Sequence, residues 1–223
     1  MAYGQTFPRW RVAAGDHWAS YTEHAFVAGL GDGTLPRAAF LHYLAQDYVF
    51  LTHFSRAWAL AVTKADSLSE MRLAGGILHA LITEEMPLHV RTCAGHGIDE
   101  AALFATEERV ENLAYTRFVL EAGHAGDFLD LMAALAPCVL GYGEIGARLM
   151  PKAGQTPYRE WIEAYGGAGY QGVCVSVGAL IDEAVESRIG AAPETSPRWA
   201  SLCRTFRTAT RLEAGFWDMG LTP

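Results

Sequence analysis

The amino-acid sequence predicts an all-α protein, and two features of its 223 residues indicate this fold class. Apolar residues recur every three or four positions along most of the chain, as in helices that bury one face. Runs of alternating apolar and polar residues, which are typical of half-buried strands, are scarce. The predicted helices span 7–28, 36–64, 67–93, 99–122, 126–150, 156–187 and 196–219. We therefore expect a single helical domain over 1–223, with a break near Gly166, Gly167 and Gly169 in the sixth segment.

Composition and charge indicate which classes of partner and which cellular compartment to expect. Apolar residues make up 51% of the chain, enough for a sizeable core, and the net charge is −8 without a dense basic cluster. This balance disfavours nucleic acid and anionic membranes as partners. We expect a cytoplasmic protein, because the N-terminus lacks the apolar stretch of a signal peptide and no apolar run is long enough to span a bilayer. The four cysteines are widely spaced without a CxxC pair, so free thiols are expected.

Two acidic residues fall on helix faces that are otherwise apolar. Asp47 lies within an aromatic and leucine-rich stripe of 36–64, and Glu213 lies within a similar stripe of 196–219. Burying a carboxylate is costly unless it meets donors or a ligand, and burial raises its pKa, which suits a general acid. Each residue is a candidate site residue, with an internal ion pair as the alternative.

A cysteine and a tyrosine share the apolar face of 126–150. Cys138 and Tyr142 are one turn apart and should be neighbours. Gly141, Gly143 and Gly146 follow, and three helix-weakening glycines indicate close approach by another helix or a ligand. Inert packing of Cys138 in the core remains the alternative to a role in chemistry.

Further candidates are aromatic or lie one helical turn apart. Tyr165 belongs to an aromatic ridge of 156–187, and Tyr115 lies on an apolar face of 99–122, where both could be core or the wall of a flat ligand's pocket. Glu85 and His89 are spaced either as metal ligands or as an internal salt bridge, and we expect the salt bridge.

Several sequence motifs resemble one known family. They are GLGDGTLPRAAFLHYLAQDYVFLTHFSRAWAL, EEMPLH, AYT, APCVLGYGEIG, WIEAYGG and LEAGFW, in this order along nearly the whole chain. Together they resemble the TenA/thiaminase II family, in its branch with a key cysteine. The resemblance implies a haem-oxygenase-like helical bundle, a homotetramer, and no metal or organic cofactor. It also implies hydrolysis of 4-amino-5-aminomethyl-2-methylpyrimidine, and of thiamin in many members, to 4-amino-5-hydroxymethyl-2-methylpyrimidine during thiamin salvage.

The resemblance also implies roles for individual residues. Cys138 resembles the family's nucleophile and Glu213 its proton donor. The implied substrate pocket consists of Asp47, Phe50, Tyr115, Tyr142, Tyr165 and Phe216. Asp47 would grip the amino edge of the pyrimidine. Some members carry a tyrosine at the position of Phe50, and its hydroxyl activates the nucleophilic cysteine. Here the thiol must be activated by another group.

Two other functions remain open at this level. The same fold could hold a dimetal centre, for which Glu85 and His89 could be the first two ligands. It could also hold a haem, with His17 or His24 as the axial ligand. Alternatively, the protein could bind a pyrimidine or regulate a partner without catalysis, which the missing hydroxyl at Phe50 favours.

Overall fold

The computed structural model describes residues 3–223, which form helices and turns without a β-strand. The α-helices in this range are α1 Thr6–Ala14, α2 Asp16–Thr22, α3 Ala25–Asp32, α4 Arg37–Lys64, α5 Leu68–Ala80, α6 Met86–Ala94, α7 Glu100–Phe104, α8 Val110–Ala125, α9 Phe128–Leu149, α10 Arg159–Gly166, α11 Ala168–Arg188 and α12 Pro197–Gly220. A π-turn at Leu81–Glu85 joins α5 to α6, and 3-10 turns lie at Met150–Gln155 and Pro193–Thr195. The predicted all-α class is confirmed.

Helix α9 lies at the centre of the fold. It packs against α8, α10, α11 and α12, and nearly all of its side chains are buried. An α-helix that is apolar on every side belongs in a core or a membrane. Within residues 3–223, the stretch Phe128–Gln155 is also the one helix long and apolar enough to cross a bilayer, and 83% of its most apolar window is buried inside the protein. Its apolar character is therefore accounted for by the core.

Three glycines let neighbouring elements approach α9 closely. A Cβ at Gly141 would collide with the ring of Tyr21, and one at Gly143 would collide with a side chain of α11. A Cβ at Gly146 would collide with the backbone of Tyr165. The expectation of close approach is confirmed, and the approaching groups are protein. The contact at Gly146 fixes Tyr165 next to the last turn of α9.

The N-terminal segment differs from the prediction. Residues 7–28 were expected to form one helix, but Gly15, with a φ of +61°, ends α1 and turns the chain into α2. A second break precedes α3, where Nδ1 of His24 accepts a hydrogen bond from the backbone N–H of Phe26 at 3.2 Å. Because of these two breaks, α1, α2 and α3 can all pack against α12.

The segment 99–122 is also interrupted, by a loop that a side chain of α4 holds in place. Gln46 donates to the backbone oxygen of Glu107 at 2.8 Å and accepts from the backbone N–H of Arg109 at 3.1 Å. Buried Gln46 thus satisfies backbone groups that a helix would otherwise pair. The predicted glycine break in 156–187 is confirmed at Gly167, between α10 and α11.

Candidate active site

A small cavity lies where α4, α9 and α10 meet, and it brings together residues that are distant in the sequence. Asp47 from α4, Cys138 and Tyr142 from α9, and Tyr165 from α10 all line it. Its volume is about 40 Å³, close to that of one or two water molecules. The apolar stripes predicted for these helices are buried as expected, and Asp47 and Cys138, which share those stripes, both line the cavity.

Glu213 lies beside the thiol of Cys138. The two side chains are close enough to influence each other's ionisation, and the hydroxyl of Tyr115 donates to Oε1 of Glu213 at 2.8 Å. Glu213 is only 1% exposed. Burial raises its pKa to about 8, against the opposing effect of the Tyr115 hydrogen bond. At neutral pH this carboxyl therefore mostly holds a proton, as a general acid must.

The surroundings of Cys138 favour the neutral thiol. Burial is the main cause, and the nearby carboxyl groups of Glu213, Glu85 and Asp47 add to it, so that the pKa of Cys138 is raised well above 9. Because the thiolate is the reactive form, deprotonation must be coupled to the attack itself. The adjacent Glu213 carboxyl is placed to take part in that proton transfer.

Asp47 is held by two donors that leave one of its oxygens free. Oδ2 accepts from the Tyr43 hydroxyl at 3.1 Å and from Nε2 of His89 at 2.7 Å. Oδ1 accepts no hydrogen bond from any residue in the range 3–223, although Asp47 lines the cavity. The carboxyl group thus keeps an acceptor for a ligand.

Both ring nitrogens of His89 face acceptor oxygens, an arrangement that favours the doubly protonated ring. Its Nδ1 donates to the backbone oxygen of Glu85 at 3.0 Å, and its Nε2 donates to Asp47. Burial by itself would lower the pKa of His89, but the hydrogen bond and charge of Asp47, together with Glu85, raise it to about 9. His89 is therefore positively charged at neutral pH.

The expected Glu85–His89 salt bridge is wrong. His89 pairs with Asp47, while Oε1 of Glu85 accepts from the Tyr165 hydroxyl at 2.9 Å. The expected pairing relied on the regular rotation of an α-helix, which is 100° per residue. The π-turn Leu81–Glu85 holds more residues per turn than an α-helix. It changes the direction of the Glu85 side chain, which lines the cavity.

Aromatic rings form the cavity wall and the layer that supports it. Tyr142 and Tyr165 meet edge to face with centroids 4.9 Å apart, and Phe50 completes the wall. Tyr115 and Phe216 pack against Phe50, at 5.1 and 5.4 Å between centroids. The structure thus places four of the six predicted pocket residues on the wall, and Tyr115 and Phe216 beside Phe50.

The cavity opens into a larger groove of about 1160 Å³. Both spaces share the side chains of Ile77, Leu81, Glu85, Tyr165, Tyr170 and Val173. Small-molecule sites usually occupy several hundred Å³, so a ligand of pyrimidine size has to use the mouth of the groove as well as the cavity.

Sequence reasoning did not assign three contributors to this site, which are Tyr43, Glu85 and His89. Tyr43 could have been found, since it precedes Asp47 by one helical turn on the same stripe. His89 and Glu85 could not be assigned, because their partners lie on other helices. Within residues 3–223, no group of three or more His, Cys, Asp or Glu side chains is arranged as a metal site. All four cysteines are free and buried, as expected.

Comparison with known proteins identifies the family. The model of the TENA/THI-4/PQQC family matches residues 12–222. The chain belongs to this family. The resemblance predicted from the motifs is confirmed, and the family's match extends over every element that contributes to the cavity.

Individual relatives agree with this assignment along almost their full length. The chain is 35% identical over 205 residues to an aminopyrimidine aminohydrolase of Halalkalibacterium halodurans, covering 91% of this chain and 89% of the relative. It is 62% identical to a TenA family transcription regulator from Silicibacter sp. TM1040 whose crystal structure superposes with a TM-score of 0.97, covering 99% and 98% of the two chains. A domain from Shewanella denitrificans with a heme oxygenase-like fold superposes with a TM-score of 0.70 at 12% identity, over 97% of this chain and 92% of that one. The predicted haem-oxygenase-like fold is confirmed.

Proposed function

We propose that the protein is an aminopyrimidine aminohydrolase of the thiaminase II type. Its substrate is 4-amino-5-aminomethyl-2-methylpyrimidine, with thiamin as a second substrate, and its product in thiamin salvage is the hydroxymethyl-pyrimidine. One observation carries the proposal: the Cys138 thiol shares a cavity with Asp47 and lies near the carboxyl of Glu213. Similarity to the aminopyrimidine aminohydrolase of H. halodurans supports it.

Asp47 positions the substrate in this proposal. Its free Oδ1 accepts a hydrogen bond from the ring's amino group, while Tyr43 and His89 hold Oδ2 and so fix the direction of the carboxyl. Protonated His89 donates to Oδ2, and this charge-assisted hydrogen bond holds the carboxyl in place for the substrate. Tyr142 and Tyr165 provide aromatic faces for the flat ring.

Cys138 and Glu213 carry out the addition step. Protonated Glu213 gives its proton to a ring nitrogen as Sγ of Cys138 bonds to the adjacent, electron-poor ring carbon. The thiol proton passes to the Glu213 carboxylate that this transfer leaves behind. The net result is addition of S–H across a ring C=N bond, with Glu213 as the relay. The raised pKa values of both groups fit this coupled transfer, since neither is charged beforehand.

The electron-rich adduct then breaks the bond to the leaving amine. The C–N electron pair departs with the nitrogen, and the ring forms an exocyclic methylene. Water adds to this methylene, and loss of the thiol restores the aromatic ring. Enclosure by the tyrosine walls keeps bulk water away until the amine has left.

Location and assembly are further parts of the proposal. We place the enzyme in the cytoplasm as a homotetramer acting on a small-molecule substrate, without nucleic acid, membrane, metal or organic cofactor. The net charge of −8 disfavours direct DNA contact.

Ammonia release from the aminomethyl-pyrimidine, and thiazole release from thiamin, test the function directly. We expect turnover by the wild-type protein and a loss of at least 1,000-fold in Cys138→Ser, on the order of other nucleophile deletions. Hydroxymethyl-pyrimidine should still bind this variant in calorimetry. Cys203→Ser, at another buried cysteine of the chain, should remain fully active. No release by the wild type overturns the function, and full activity of Cys138→Ser overturns covalent catalysis.

A further inference from the structure

Glu85 occupies the junction between the cavity and the groove, and the addition chemistry does not use it. Its side chain lines both spaces, and it ends the π-turn that interrupts the helix between α5 and α6. Such π-turns weaken a helix and frequently occur at functional sites. The π-turn therefore indicates a functional role for the Glu85 carboxyl.

The protein hydrogen-bonds one oxygen of the Glu85 carboxyl and leaves the other available to a ligand. Oε1 accepts from the Tyr165 hydroxyl at 2.9 Å, whereas Oε2 accepts no hydrogen bond from any side chain or backbone group between residues 3 and 223. Burying an ionisable group costs free energy unless it is paired. A ligand cation at Oε2 would supply the missing partner.

Aromatic rings flank this carboxyl. Tyr165 and Tyr170 both line the junction, and their rings meet at 84° with centroids 5.0 Å apart. A carboxylate together with the faces of aromatic rings is the combination that binds ammonium and other organic cations. Neutral or anionic groups gain less from such surroundings.

The position of Glu85 relative to Asp47 is also fixed. His89 donates to Asp47 through Nε2 and to the backbone oxygen of Glu85 through Nδ1. In the substrate, the aminomethyl group occupies the ring carbon next to the one that carries the amino group. A ring bound by Asp47 at its amino group therefore has its reacting substituent next to the bound edge, inside the cavity that Glu85 also lines.

We propose that Glu85, with Tyr165 and Tyr170, forms a subsite for the positively charged leaving group of the substrate. Its ligands are the ammonium of an aminomethyl substituent and the azolium ring of thiamin. This inference rests on the proposed function and assigns the residue that distinguishes cationic substrates from the neutral product.

The subsite acts on binding more than on bond cleavage. Both leaving groups carry a positive charge when bound and become neutral as the C–N electron pair moves onto nitrogen, so no proton from Glu85 is needed. The attraction to the carboxylate is therefore greatest in the bound substrate and smaller in the transition state. Loss of Glu85 should raise KM more than it lowers kcat.

Acid should weaken the subsite. Burial raises the pKa of Glu85, the charge of His89 lowers it, Asp47 raises it, and the Tyr165 hydrogen bond lowers it, with a net rise above 4.5. Protonation of Glu85 removes the charge that binds the cation. Affinity for thiamin, whose positive charge is permanent, should fall as the pH drops through this pKa, whereas affinity for the neutral product should change less.

Calorimetry on Cys138→Ser, which cannot turn the ligand over, tests the subsite with two ligands that differ in charge. Adding Glu85→Gln should weaken binding of the aminomethyl-pyrimidine at least about tenfold, as expected for a charge-assisted hydrogen bond. Binding of neutral hydroxymethyl-pyrimidine should change less than about twofold, which also shows that the variant is folded. Glu121→Gln, at an exposed glutamate of α8, is the matched control and should leave both affinities unchanged.

Two outcomes overturn the subsite: an unchanged affinity for the cationic ligand, or an equal loss for both ligands. The proposed function fails separately. A wild-type protein that releases no ammonia, while the charge-dependent difference in binding persists, contradicts the hydrolase and leaves the cation subsite standing.

Discussion

Asp47 and His89 form a buried ion pair that joins α4 to α6. Nε2 of His89 lies 2.7 Å from Oδ2 of Asp47, and each side chain is 4% exposed. The pair orients the carboxyl that we assign to pyrimidine binding. It also makes the stability of the protein depend on pH in a definite direction.

The contribution of His89 to stability should disappear in mild alkali. Its pKa is raised from 6.5 in the unfolded chain to about 9 in the folded protein. A raised pKa stabilises the folded state fully below pH 6.5, and this stabilisation is lost as the pH rises through 9. The loss is on the order of 3 kcal/mol. Urea titrations at pH 6 and pH 10 measure the free energy of unfolding. We expect it to decrease between these pH values by more in the wild type than in His89→Gln.

The comparison with His89→Gln isolates this effect. Glu213, whose pKa is also raised, titrates in both proteins and its contribution cancels in the difference. Equal pH dependence in the two proteins would show that His89 is not the group responsible.

Glu213 should set the alkaline limit of activity. Its pKa is about 8, and the protonated form is the one that donates, so kcat/KM should decline as the pH rises through about 8. Glu213→Gln should lower kcat by roughly 100-fold to 10,000-fold, with a smaller change in affinity. The pH profile measured by ammonia release should lose this limb in the variant. Retention of the limb in Glu213→Gln would assign it to another group.

Asp47→Ala should act mainly on pyrimidine binding. Its free Oδ1 accepts the ring's amino group in our proposal, so the variant should bind hydroxymethyl-pyrimidine about 10-fold to 100-fold more weakly. Calorimetry measures the affinity, and thermal unfolding checks that the variant, with an unpaired His89, remains folded. An unaltered affinity in a folded variant would contradict the role of Asp47.

Phe50→Tyr should make Cys138 more reactive. Phe50 lines the cavity together with Cys138, and a hydroxyl placed on its ring can donate to the developing thiolate. Each unit by which the thiol pKa falls gives roughly tenfold faster alkylation at a pH below that pKa. The rate of modification by iodoacetamide at pH 8 measures this change, and Cys138→Ser identifies the signal that belongs to Cys138. A slower or unchanged reaction would mean that the hydroxyl does not reach the sulfur.

The sequence alone determined the fold class, the family and the buried position of the chemistry-bearing residues. Helical periodicity placed Asp47, Cys138 and Glu213 on apolar faces, and all three are buried in the structure. The reason is physical, since a side chain's face on a regular helix depends on local geometry and its burial on the apolar residues that share that face. The glycines of α9 likewise indicated close packing, which the structure confirms at Gly141 and Gly146.

Only the tertiary structure decided which of these residues meet one another. The pairing of His89 with Asp47, rather than with Glu85, depends on how α6 lies against α4 and on a π-turn that interrupts the regular rotation of the helix. The proximity of Cys138 to Glu213 depends in the same way on the packing of α9 against α12. Periodicity carries no information on distances between helices, because these follow from the packing of all side chains at once.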